Sequence, residues 1–360
     1  MSLAQPKRIL IIKLRHHGDV LLSTPVVDAL KTRFLDCEID MLVYAGTGQL
    51  IADNPQITQI FTIDRNWKKL GVFKQLACEK NLFSKLKARD YDWAFNLSDQ
   101  WRAAIIAKLC ARCSVGLDCI KRDGFWWRFC HDFINHELDT SHHIVENQLN
   151  ILAPLIQPED VADAKVRLWV AQDARESMQQ KLREQGWSGE DYVLLHPGAR
   201  WHFKCWEDGK NAAIVQLLLN SGQNVVLTAS PDTVEQYMLQ EIIGRLNIPE
   251  GRKVYVLSGC LSLRELAAAI EGAKLFVGVD SAPMHIAAAL DKPQIALFGA
   301  SWVDKWRPYS EQAEVIYAGD YAELPHPDSI DTNDPTRLLK AIPLQDVWDK
   351  ISAKLEALEA

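Results

Sequence analysis

The sequence predicts an α/β protein made of two doubly wound, Rossmann-like domains facing a central cleft, and three observations carry that prediction. Short runs of apolar and β-branched residues alternate with longer stretches of helical apolar spacing along the whole chain. The rhythm weakens once, over residues 153–163, where Pro154, Pro158 and several acids stand together, and then resumes. A chain of 360 residues holds two domains of ordinary size. Taken in order, residues 8–14 (RILIIKL) read as a buried parallel strand, and residues 20–34 as a helix. Residues 39–44 and 59–63 are the next strands, and a helix over 73–88 leads to a strand at 92–97. A second series opens with a strand at 191–196 and continues with strands at 224–228, 253–257, 275–279 and 294–298, separated by helical stretches. Residues 344–358 form an amphipathic helix with Val347, Ile351, Leu355 and Leu358 on one side. The expected division is therefore a first domain over 1–165, a second over 166–342, and a terminal helix over 343–360 free to pack back on the first.

The composition excludes several classes. With 48% hydrophobic and 24% charged residues the chain is globular in type. A net charge of -7 argues against a general nucleic-acid binder. Of the eight cysteines, only Cys110 and Cys113 have CxxC spacing, and no second pair follows, so buried free thiols are expected rather than a zinc site. The apolar run at 9–14 is too short for a signal-peptide core, and nothing approaches a membrane span, so a cytoplasmic location is expected.

In doubly wound sheets ligands bind beyond the carboxyl ends of the strands, so the loops there hold the candidates. After the first strand come Arg15-His16-His17-Gly18-Asp19. Gly18 permits a tight turn with close approach to the backbone. Asp19 at the following helix start is either a cap or an acid facing a site. After the strand at 191–196 the loop His196-Pro-Gly-Ala-Arg-Trp-His-Phe-Lys-Cys-Trp206 places Arg200 and Lys204 where an anion would sit, unless it is an ordinary exposed loop. The sharpest signal is the strand 275–279 running into Asp280-Ser281-Ala282-Pro283-Met284-His285. The amides of Ser281 and Ala282 at a helix start could hold a diphosphate without a metal. His285, one turn in, reaches the same anion or packs in the core, and Asp280 lines the site or caps the helix. Asp232 and Glu235 follow the strand at 224–228, and each is a ribose-binding acid or a helix-start acid. Two basic and aromatic stretches, Arg65-Asn-Trp-Lys68-Lys69 and Lys121-Arg122-Asp-Gly-Phe-Trp-Trp-Arg128, are solvated loops or an electropositive surface for an acidic, membrane-held acceptor.

Other patterns fail. Gly46-Thr47-Gly48 begins a dinucleotide fingerprint, but Ile51 occupies its third glycine position. Gly209-Lys210 lacks the upstream glycine of a phosphate loop. Asp90-Tyr91-Asp92 has the spacing of metal-using sugar transferases but lies where a turn enters a strand, at the wrong end for a site.

Gly18-Asp19-Val20, Lys204-x-Trp206 and Val279-Asp280-Ser281-x-x-x-His285, in that order over nearly the whole chain, resemble glycosyltransferase family 9, the lipopolysaccharide core heptosyltransferases. The likeness is strongest to members that add the third inner-core heptose. It implies a GT-B fold, ADP-L-glycero-D-manno-heptose as donor, inversion at the anomeric carbon, no metal and no cofactor. It further implies a lipopolysaccharide inner-core acceptor met at the cytoplasmic face of the inner membrane, with peripheral membrane contact. By the resemblance Asp19 is the catalytic base, Lys204 lies near the phosphates and sugar, Asp280 is the donor-site acid, and Ser281 and Ala282 supply amides. His285 follows that loop and Glu235 matches the ribose-binding acid. Gly18, Arg65, Lys68, Lys69, Lys121 and Arg122 are the acceptor-side candidates. Two departures stand out: Ala199 and Arg200 replace a pair of threonines found in some members, and Ser281-Ala282 replaces threonine-glycine. Rival readings are another heptosyltransferase of the family, a non-hydrolysing sugar-nucleotide epimerase of the same architecture, a nucleotide-dependent oxidoreductase, and a non-catalytic scaffold.

Overall fold

The computed structural model describes residues 5–118, 122, 124–157, 161 and 163–359. The chain divides into two compact units between Trp169 and Val170. In the first, strands β1 (Arg8–Lys13), β2 (Glu38–Tyr44), β3 (Gln59–Ile63), β4 (Tyr91–Asn96), β5 (Ala111–Asp118) and β6 (Phe133–His136) form one sheet. Its order is β3-β2-β1-β4-β5-β6, and every pairing is parallel. The connecting helices are α1 (His17–Leu21), α2 (Thr24–Arg33), α3 (Val72–Ala88), α4 (Trp101–Cys110), α5 (Phe125–Phe129) and α6 (Ile144–Asn150).

The second unit repeats this plan. Its strands are β7 (Tyr192–His196), β8 (Asn224–Ala229), β9 (Val254–Ser258), β10 (Leu275–Val279), β11 (Gln294–Phe298) and β12 (Ala313–Tyr317). They lie in the order β12-β11-β10-β7-β8-β9, again all parallel. Its helices are α7 (Gln172–Arg183), α8 (Asp208–Asn220), α9 (Thr233–Ile243), α10 (Leu263–Glu271), α11 (Ala282–Ala289), α12 (Val303–Trp306) and α13 (Leu344–Glu359). In each sheet the first strand is central, the next two lie to one side and the last three to the other. That is the doubly wound order, with a switch point between β1 and β4 and another between β7 and β10.

The apolar strands follow from helices covering both faces. Along β1, Ile9 and Ile11 enter one core with α2, while Leu10 and Ile12 enter another with Leu82 and Leu86 of α3 and Ala103 and Ile106 of α4. A polar network closes the amino edge. Arg89 donates to Asp40 at 2.7 and 3.2 Å, and the Tyr91 hydroxyl donates to the same fully buried carboxylate at 2.7 Å.

The structure differs from expectation at several elements. The helix expected over 20–34 is two: α1 stops at Leu21, and α2 restarts with Pro25 in its first turn, where a missing N–H costs nothing. Gly18 is not a turn residue but lies inside α1. Strands β5, β6 and β12 escaped notice; β5 carries Gly116, where an added Cβ would stand 2.6 Å from the ring of buried His131. Val347, Ile351 and Leu355 of α13 join the second unit's core with Ile214 and Leu218 of α8, because its apolar stripe completes that sheet's cover. Cys110 and Cys113 are buried free thiols, each pushed up to about 11 by burial. Among the described residues no helix is long and apolar enough to cross a membrane.

Candidate active site

The chemistry-bearing residues of the first unit collect at the carboxyl edge of its sheet. Asp19 sits in the first turn of α1, directly after central strand β1. It is not the helix cap: that position is His16, whose side chain makes no capping bond. Among the described residues the half-buried Asp19 carboxylate has no hydrogen-bond or ion-pair partner. The charge that faces it is Lys13, the last residue of β1, which is buried and donates to the Leu97 carbonyl at 3.3 Å. Burial pushes the Lys13 ammonium below its ordinary range, and the Asp19 charge opposes that push.

The exits of β1 and β4 are tied together there. Ser98 accepts from the Leu14 amide at 2.6 Å, and the Gln100 side chain donates to the Leu14 carbonyl at 2.9 Å. Tyr44 donates to Gln100, and the Arg65 guanidinium lies 4.0 Å over the Tyr44 ring. Arg122 donates to the Asp99 carbonyl at 2.8 Å and lies 5.6 Å from the Trp101 ring. Arg65 and Arg122, far apart in sequence, are therefore carried by residues of one edge. Lys68 and Lys69 are exposed in the 3₁₀ turn Arg65–Lys69. Lys121 lies outside the described residues.

In the second unit the loops after β7 and β10, which flank the switch point, meet through an ion pair. Lys204 Nζ is 2.5 Å from Asp280 Oδ2, both side chains largely withdrawn from water. The 3₁₀ turn His202–Lys204 that presents Lys204 is clamped from behind. Arg337 donates to His202 Nε2 at 2.9 Å and to the Trp206 carbonyl at 2.8 Å, and pairs with Asp208 at 2.6 Å. Arg200 is exposed with its guanidinium 5.7 Å from the Trp201 ring, and Ala199 is buried at the base of the loop.

Beyond Asp280, Ser281 precedes α11 without a side-chain capping bond, its hydroxyl turned to the Val279 carbonyl at 3.2 Å. The amides of Ser281 and Ala282 precede the helix's own bonding, and Pro283 removes a donor that no helix start uses. These amides, the helix dipole and Lys204 together suit a polyanion. His285 is buried one turn into α11.

The loop after β8 separates the two candidate ribose acids. Asp232 caps α9 by accepting from the Val234 amide at 2.8 Å and is exposed. Glu235 is buried, accepts from the Ser230 amide at 2.9 Å, and lies 3.8 Å from His196 Nε2. Gly198 leaves room for it, since a Cβ there would stand 2.6 Å from the Glu235 carboxylate. His196 shares its other ring nitrogen with the Thr228 hydroxyl at 2.8 Å, and burial holds its pKa below the ordinary 6.5.

Thus Gly18, Asp19, Arg65, Lys68, Lys69 and Arg122 belong to one unit's edge, and Ala199, Arg200, Lys204, Glu235, Asp280, Ser281, Ala282 and His285 to the other's. Sequence reasoning missed Lys13, His196 and Arg337. A lone lysine in the apolar run RILIIKL was a readable signal for Lys13, whereas nothing local marks Arg337. Asp90 and Asp92 do stand at the amino edge: Arg112 pairs with both, and Asp92 accepts from the Lys7 and Arg8 amides at 2.7 and 3.1 Å.

Comparison with known proteins gives this arrangement a class. A glycosyl transferase family 9 protein from Veillonella parvula DSM 2008 superposes with a TM-score of 0.83 at 21% identity, over 99% of each chain. The ADP-heptose lipopolysaccharide heptosyltransferase II of E. coli superposes with a TM-score of 0.77 at 22% identity, over 98% of this chain and 100% of that one. The fold is that of a GT-B glycosyltransferase. The profile of glycosyltransferase family 9 (heptosyltransferase) matches residues 80–336. Lipopolysaccharide heptosyltransferase 3 of Escherichia coli is 37% identical over 335 residues, 93% of this chain and 95% of the relative. The chain belongs to glycosyltransferase family 9, and it is an enzyme of lipopolysaccharide heptose transfer.

Proposed function

We propose that the enzyme moves L-glycero-D-manno-heptose from ADP-heptose to a heptose of the lipopolysaccharide inner core, adding the third core heptose with inversion and without a metal. The observation that carries this reading is the Lys204–Asp280 pair at the switch point of the second sheet, beside the open start of α11. A cation and helix amides are what a departing nucleoside diphosphate needs when no metal shares its charge. The name of the E. coli structural relative supports ADP-heptose as donor, and the 37% identical relative supports the third heptose.

The reaction is a single displacement. An acceptor hydroxyl oxygen attacks the anomeric carbon, and the bond from that carbon to the phosphate oxygen breaks. The hydroxyl proton passes to Asp19, and ADP leaves with the bonding pair, its charge held by Lys204 and the Ser281 and Ala282 amides. Arg200 adds a mobile contact to the phosphates, Glu235 takes the ribose hydroxyls, and His285 supports the phosphate end. Arg65, Lys68, Lys69, Lys121 and Arg122, with Gly18 beside the base, meet the acidic acceptor at the cytoplasmic face of the inner membrane.

The test is transfer from ADP-heptose to a panel of truncated core lipopolysaccharides, with and without EDTA, followed by linkage analysis. The reading expects an added third heptose of inverted configuration and no loss with the chelator. A folded Asp19→Ala variant should lose about 10²–10⁴-fold in turnover. Near-native turnover by that variant rejects Asp19 as the base. Conversion of a sugar nucleotide with no acceptor present rejects transfer itself.

A further inference from the structure

We infer that the start of α3 and the whole of α5 form a surface that seats the first unit on an anionic lipid bilayer through inserted aromatic side chains; this rests on the reading that the acceptor is membrane-held. In a parallel sheet all turns from strand to helix leave one edge. The carboxyl ends of β3 and β5, which α3 and α5 follow in the chain, therefore lie on the edge that carries Asp19.

What they carry there is unusual for a surface. The core contacts of α3 come from Leu82 and Leu86 in its second half. Its first two residues, Val72 and Phe73, face water, and Phe73 is 90% exposed. In α5 only Trp127 is buried, donating to the Leu117 carbonyl at 3.0 Å. The other three aromatics, Phe125, Trp126 and Phe129, are 73%, 70% and 64% exposed. They lean on one another, with ring centroids 5.4 to 6.4 Å apart. A cluster of this kind on a folded protein marks a surface that something apolar covers.

Charge selects the occupant. Between Arg65 and Cys78 the chain has four cations, Arg65, Lys68, Lys69 and Lys74, and no acid. Residues 1–169 hold 22 Lys and Arg against 20 Asp and Glu, a net +2 in a chain of net -7. A second copy docked by a two-fold axis would bring these cations against their own images. Anionic headgroups neutralise them instead, while the aromatics reach the acyl boundary.

The test uses the full chain and sedimentation with vesicles of phosphatidylethanolamine carrying about one quarter phosphatidylglycerol. The native protein should pellet with these vesicles, less so as salt rises. Two separate variants, Val72→Ser/Phe73→Ser and Trp126→Ser/Phe129→Ser, should each bind about tenfold or more weakly. Both should keep their circular dichroism and native transfer of heptose to a lipid-free core oligosaccharide. The inference is overturned if the native protein stays in the supernatant at low salt, or if both variants bind as the native protein does. It is overturned as well if the native protein dimerises, the variants are monomers and no form binds vesicles. Transfer without vesicle binding would remove this surface and leave the proposed reaction standing. Vesicle binding without transfer to any acceptor would do the reverse.

Discussion

Lys204 and Asp280 hold each other at 2.5 Å in a setting poor in water, so each depends on the other until a ligand arrives. In the proposed reaction an incoming diphosphate competes with Asp280 for the ammonium and gains the neighbouring helix amides. Lys204→Met should therefore weaken ADP binding in calorimetry and lower turnover by about 10²–10³-fold. Native ADP affinity and turnover would show that the pair serves structure alone. Lys13 stands beside Asp19, the proposed base. Burial lowers the proton affinity of its ammonium, and the Asp19 charge opposes that push. Lys13→Met should lower kcat, with KM for ADP-heptose unchanged. Native kcat in a folded variant would remove Lys13 from the chemistry, and a lowered urea midpoint with native kcat would make it a packing residue.

At the scale of elements, β7 and the turns around it couple site and stability. His196 ends β7, buried between Thr228 and Glu235, and burial lowers its proton affinity below the ordinary 6.5. The unfolded chain binds that proton more readily than the folded one. The stability it contributes is therefore present above about pH 6.5 and is lost as pH falls below it. His131, depressed for the same reason in the first unit, adds in the same sense. The urea midpoint should fall between about pH 7.5 and 5.5, and His196→Gln should flatten that slope; an unaltered slope would remove His196 from the account. The element record also shows what sequence can carry. Strands β3, β10 and β11 were readable to the residue because each is a short run rich in apolar residues and bounded by turn residues. Strand β5 (ARCSVGLD) was not, since Gly116 and polar residues hide a strand whose burial is decided by His131 and β4. The Asp280 loop was legible because strand end and helix start adjoin in sequence. The Arg337 clamp was not, because its partners lie 129 to 135 residues away.

At the scale of the whole molecule, the two units repeat one strand order but divide the candidates: Asp19, the proposed base, belongs to the first and every donor-side candidate to the second. The described cores respect the same division, with Ile9 through Ile156 supplying two of them and Val193 through Leu355 the third. That third core includes α13, whose Val347, Ile351 and Leu355 complete the second unit. A sheet covered on both faces by its own helices has what independent folding requires. Residues 170–360 expressed alone should therefore unfold in one cooperative transition and bind ADP within about tenfold of the full chain's affinity. They should transfer no heptose, because Asp19 is absent. A truncation at 342 should lose that cooperativity, since removing α13 strips Val347, Ile351 and Leu355 from the core. The decisive measurement is calorimetric titration of the 170–360 segment with ADP, alongside its Lys204→Met variant. Binding that survives in the segment and fails in the variant places the nucleotide on the second unit alone. A cooperatively folded segment with no affinity for ADP would mean that the first unit supplies donor contacts, and the division of labour between the sheets would have to be redrawn.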